Sequence, residues 1–100
     1  MQRWVYALPL LALAWGQHAR AADIEAGKAK AAVCAACHGV DGRAQIPHYP
    51  HLAGQNAAYL LKQMSAFKEG SRQEPLMAPF MAMLTETDME NLAAYYASLK

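Results

Sequence analysis

Cys34-Ala35-Ala36-Cys37-His38 is the stretch on which the rest of the chain turns. Thiols three positions apart lie on one side of a helical turn, and an imidazole follows directly. Several chemistries use such a pair. A thioredoxin-type dithiol has this spacing but belongs behind a strand in a βαβ pattern, and no such pattern is visible here. A zinc site would need a further ligand, with His48 or His51 available in the sequence. A structural disulfide across so short a loop contributes little and strains the turn. The run C-x-x-C-H, in which all three side chains have a task, is the attachment signature of a c-type haem. Each thiol adds to a vinyl group to form a thioether, and His38 offers a ring nitrogen to the iron.

Outward from this motif the chain reads as helix and loop. Beyond residue 21 the β-branched residues are only Ile24, Val33, Val40, Ile46, Thr85 and Thr87, while alanine is abundant. That balance favours helix, because alanine loses no rotamer freedom there and a half-buried sheet needs branched or aromatic side chains. The first helix is expected from near Asp23, a natural N-cap, through Ile24, Lys28, Ala31 and Ala32 toward Cys34 and Cys37, with Gly39 and Gly42 stopping it. From there to Gly54, Pro47 and Pro50 and the absence of any sustained period predict a loop. The second helix is expected from about Gln55 to Glu69, with Leu60, Met64 and Phe67 on one face and Gly70 as its stop. Ser71 to Leu84, with Pro75, Pro79 and three methionines, reads as irregular. The last helix opens at Thr85 with Asp88 three positions on, and its apolar stripe is Met89, Leu92, Ala93, Tyr96 and Leu99. Two loops this long in so small a domain suggest that they wrap something.

Residues 1–21 read differently. Arg3 precedes an uncharged apolar run from Trp4 to Trp15, and Ala19-Arg20-Ala21 supplies small residues at a cleavage site, the pattern of a secretory signal. The run contains Pro9 and is shorter than the roughly 20 residues needed to span a bilayer core. The expected organisation is therefore a signal at 1–21 and one domain at 22–100, with no membrane span after cleavage. The whole chain has 100 residues, 9 basic and 8 acidic side chains, and a formal charge of +1, which leaves no basic stripe for nucleic acid. A domain this short buries a modest core, so a cofactor in its middle would help to hold the fold.

The segment 22–100 resembles class I cytochromes c, especially the short bacterial periplasmic monohaem type and one half of the dihaem relatives. The resemblance rests on Ala26-Gly27-Lys28, Cys-Ala-Ala-Cys-His-Gly, Tyr49-Pro50-His51-Leu52-Ala53-Gly54-Gln55, Gly70-Ser71-Arg72, and Leu84-Thr85 followed by Asp88 and Leu92-Ala93-Ala94-Tyr95-Tyr96. It implies an all-α fold of three main helices and two long loops around one haem c, attached through Cys34 and Cys37. It also implies a methionine as the second axial ligand beside His38. Met64 and Met89 lie on helical apolar faces and read as core, which leaves Met77, Met81 and Met83. In similar sequences the ligand stands eight residues before the residue capping the last helix, which selects Met77, ahead of Met81 and then Met83. Pro79-Phe80 departs from relatives that often carry a glycine there.

By the same resemblance the Pro50 carbonyl would accept from the His38 ring, an arrangement that fixes the tautomer of a ligating histidine. Leu52, Leu60 and Phe67 would pack on the porphyrin, and Arg72 stands at a position near a propionate. His48 and His51 read as exposed loop residues, and Tyr59, Tyr95 and Tyr96 as packing between helices. With histidine and methionine both bound, the iron has no open position for a substrate. The expected function is thus periplasmic one-electron transfer, not enzymatic turnover. Its partners would be transient redox proteins: a dehydrogenase or quinol-oxidising donor and a terminal oxidase or reductase acceptor. The alternatives are a haem-bearing subunit of a periplasmic dehydrogenase or oxidoreductase complex, and a sensor or ligand-binding haem in which methionine is absent or easily displaced.

Overall fold

Alanine-rich segments with few branched side chains form helix wherever caps and glycines permit. The computed structural model describes residues 2–4 and 21–100, so nearly all of the expected signal lies outside the described residues. Among the described residues five α-helices follow in order: α1 (Ile24–Lys30), α2 (Ala35–His38), α3 (Ala57–Glu69), α4 (Ala78–Ala82) and α5 (Glu86–Ser98). Among the described residues there is no strand.

The caps account for the boundaries. The Asp23 carboxylate accepts from Ala26 N at 3.0 Å and opens α1. Asn56 does the same for Tyr59 N at 3.0 Å, which starts α3 two residues later than the sequence predicts, and Gly70 ends it in the left-handed conformation. At α5 the box is reciprocal: Asp88 N donates to Thr85 Oγ1 at 3.1 Å, and Thr85 N donates to Asp88 Oδ2 at 3.0 Å. That backbone bond is the main reason the Asp88 carboxyl titrates below its ordinary value, with Lys30 of α1 adding to the effect from 3.6 Å.

Two expectations about the helices need correction. The first helix is not continuous to the cysteines, because a tight 3-10 turn at Ala31–Val33 separates α1 from α2. Nor is Ser71–Leu84 wholly irregular: α4 lies within it. Pro79 stands in the first turn of α4, where its missing N–H would have no intrahelical partner anyway.

The core is built mainly from α5. Leu92, Ala93, Met89, Tyr95 and Tyr96 are buried together with Leu60 of α3, Met81 of α4, Leu84 and Ala31. Full burial of each large apolar side chain contributes about 1.5–3 kcal/mol. The crossing of α1 over α5 depends on Gly27, where an added Cβ would lie 2.1 Å from Asn91 O and 2.9 Å from Tyr95 Cβ. Asn91, also buried, accepts from Asp23 N at 2.8 Å and joins the start of α1 to α5. Tyr59 does not pack between helices; it is 49% exposed, because it lies on the outer side of α3.

Candidate functional site

The turn that carries the motif is helical throughout. Cys37 N and His38 N both donate to Cys34 O, at 3.3 and 2.9 Å, and Gly39 N closes on Ala35 O. Gly39 then leaves the helix at φ +87°, where an L side chain would be strained and a Cβ would meet Arg43 O. Both cysteines are free and half-buried, so the pair is not a disulfide. Burial pushes the Cys34 thiol above its ordinary value, with the Tyr96 hydroxyl opposing and Cys37 adding to the rise. An attacking thiol of the thioredoxin kind is shifted the other way. Among the described residues no three His, Cys, Asp or Glu side chains converge to hold a metal ion.

His38 is only 5% exposed. Its Nδ1 lies 2.9 Å from Pro50 O, and since a carbonyl oxygen can only accept, Nδ1 carries the proton. In the neutral ring Nε2 is then left with a free lone pair, the state needed for a metal ligand. The ring of Tyr49 sits against His38 with centroids 6.3 Å apart.

The loop that brings Pro50 to this place is pinned at two points. Gly42 O accepts from Leu52 N and Ala53 N, and Gly54 N donates to Tyr96 O at the end of α5. His51 and His48 are exposed, but His51 Nδ1 accepts from Ala44 N at 2.8 Å and so braces the same loop.

Cys34, Leu52, Leu61, Met64, Phe67 and Met77 are half-buried and pack against the core. The three candidate methionines differ sharply. Met81 is 2% exposed and fills the core, Met83 is 67% exposed, and Met77 lies between these extremes at the N-terminus of α4. Arg72 stacks over the Phe67 ring at 4.4 Å from its centroid and donates to Gln63, which fixes it on the flank of α3.

These residues fit a covalently held haem. They comprise two reduced thiols on one helical turn, a buried imidazole with one nitrogen engaged, a half-buried thioether and half-buried apolar side chains. Among the described residues the Tyr96 hydroxyl, buried beside the Cys34 thiol, has no hydrogen bond of ordinary geometry, an exception among buried polar groups. Sequence reasoning assigned no roles to Tyr49, Asn91 or the His51 brace. Their partners are other than sequence neighbours, and no local pattern announces them.

The profile of the family described as Cytochrome c matches residues 24–100. Cytochrome c4 of Pseudomonas aeruginosa is 50% identical over 80 residues, which is 80% of this chain and 40% of that protein. Cytochrome c-554(548) of Halomonas halodenitrificans is 42% identical, with 78% of this chain and 98% of that protein covered. A thiosulfate dehydrogenase electron acceptor of Stutzerimonas stutzeri is 40% identical over 64% of this chain and 30% of its own length. Among solved structures, reduced recombinant cytochrome c4 from Pseudomonas stutzeri superposes with a TM-score of 0.76 at 45% identity, covering 80% of this chain and 47% of that one. The chain thus spans about half or less of the length of the cytochrome c4 relatives and nearly all of the shorter one. With its helical architecture, its C-x-x-C-H turn and a profile match over residues 24–100, the chain belongs to the cytochrome c family, with the class I fold and one haem c attached through Cys34 and Cys37.

Proposed function

We propose that the chain is an exported one-electron carrier in which His38 and Met77 would hold the haem iron. Residues 1–21 direct export and are removed, and the domain 22–100 works in the periplasm. The observation that carries this reading is the buried His38 directly after the two thiols, its Nδ1–H held by the Pro50 carbonyl at 2.9 Å. The haem supplies a metal centre that changes oxidation state by one electron. The chain's own part is to keep that centre closed and dry. His38 cannot rotate without losing its bond to Pro50. Leu52 and Leu60 exclude water from the apolar side, and the Met77 sulfur is a soft ligand that favours the reduced state.

Exposed apolar side chains flank both site segments: Val40 and Ile46 after His38, and Leu76, Phe80 and Met83 around Met77. They suit small, transient contacts with redox proteins. A second reading, the electron-accepting partner of a dehydrogenase, is favoured by the likeness to proteins described as thiosulfate dehydrogenase electron acceptors. Co-purification with a catalytic chain would move the assignment there.

A closed iron makes a direct prediction. The dithionite-reduced protein keeps its absorption spectrum unchanged under carbon monoxide at neutral pH. A shifted spectrum would mean an open or easily opened position, and the carrier reading would give way to a ligand-binding one.

A further inference from the structure

The segment 74–84, which carries Met77, is held largely by its own backbone bonds. Met77 N and Ala78 N donate to Glu74 O, Met81 N to Met77 O, Met83 N to Phe80 O, and Leu84 N to Met81 O. The Glu74 side chain accepts from Leu76 N. A turn so self-contained can shift as a unit without breaking its own bonds. Its hold on the rest of the molecule is otherwise apolar, through the buried Met81 and Leu84 and the half-buried Met77.

Among the described residues one hydrogen bond leaves this segment. The ammonium of Lys68, in the last turn of α3, donates to the carbonyl of Leu84. A lysine in that position commonly serves the free carbonyls of its own helix. Here it reaches across to the residue just before the Thr85 cap of α5. The bond therefore joins α3, the end of the methionine segment and the start of α5 at one point.

We propose that Lys68 is a positioning residue for Met77, pinning the end of its segment so that the sulfur stays on the iron. This rests on the reading of Met77 as axial ligand. Neither α3 nor α5 depends on the bond for its own integrity: α3 has its Asn56 cap and Gly70 stop, and α5 has the Thr85–Asp88 box. Loss of the bond should therefore ease displacement of the sulfur without a matching loss of global stability.

The test uses the full-chain holoprotein in its ferric form, titrated with imidazole while the sulfur-to-iron charge-transfer absorption is followed. Lys68→Met is expected to bind imidazole about tenfold more tightly than the wild type, the effect of losing one charge-assisted bond from a partly exposed donor. Lys68→Arg, which keeps a charged donor, should stay within about threefold of the wild type by the same arithmetic. Lys62→Met, an exposed lysine of the same helix, should leave the affinity unchanged.

Lys68→Gln is the second removal variant and is read in the same way should the methionine variant fail to fold. An affinity equal to wild type in the removal variants overturns the proposal. So does an equal gain in Lys62→Met, which would make the effect one of net charge, and so does a fall in the urea midpoint large enough to account for the change. The Met77→Ala protein separates the two readings. If it retains the absorption, the ligand assignment fails and the proposal with it; if it loses the absorption while the Lys68 variants change nothing, only the pinning role fails.

Discussion

The Met77→Ala protein loses its sulfur-to-iron charge-transfer absorption, and its reduction potential falls by roughly 100 mV or more, a part of the approximately 0.8 V over which axial ligands tune haem iron. Alanine offers no donor atom, so the chain would no longer supply a sulfur at residue 77 to hold the iron. The other methionines are poorly placed to replace it. Met81 is buried at 2% exposure and is packed with Leu84, Leu92 and Tyr96, so withdrawing its thioether would open a cavity in the centre of the core. Met83 is 67% exposed. Met81→Leu conserves volume and should keep the absorption at a cost below about 1.5 kcal/mol. An unchanged spectrum in Met77→Ala, with loss in Met81→Leu, would transfer the ligand role to Met81.

Gly27→Ala has the larger effect on stability. A Cβ at this position would lie 2.1 Å from Asn91 O, 2.6 Å from Asn91 C and 2.9 Å from Tyr95 Cβ. The first two are backbone atoms of α5 and cannot turn aside as a side-chain tip would, so α1 must move off α5. That displacement stretches the Asp23–Asn91 bond and loosens Tyr95 and Tyr96 from the core. Overpacking of this kind costs about 1–3 kcal/mol and occasionally more, and here the upper end applies. In a domain of this size each kcal/mol lowers Tm by about 4–8 °C, so a fall of more than 10 °C is expected in thermal unfolding of the holoprotein. A Tm within about 3 °C of wild type, less than 1 kcal/mol on that scale, would mean that α1 and α5 do not meet as closely as described.

How far the sequence could be read follows from the range of the interactions. Helix α5 was legible to within a residue because Thr85, Asp88 and the apolar stripe are all local signals. The stop of α3 at Gly70 was legible for the same reason. Cys34, Cys37 and His38 are contiguous, so their sharing one turn needs no tertiary information.

The break between α1 and α2 was not legible, because no glycine or proline lies between Lys28 and His38 to mark it. Helix α4 was hidden by Pro79, which usually signals irregular chain and here occupies a first turn. Tyr59 was misread because an aromatic at helical spacing resembles core until the neighbouring helices are in place. Lys68 and Leu84 are 16 positions apart and Asp23 and Asn91 are 68 apart, and no periodicity brings such pairs together.

The central claim is that haem is bound covalently at Cys34 and Cys37 in an exported domain. The most direct test is the intact mass of the protein recovered from the periplasm, taken with its absorption before and after dithionite. The account predicts the mass of residues 22–100 plus one haem, and bands that sharpen on reduction. A colourless polypeptide with the mass of its amino acids alone would contradict it.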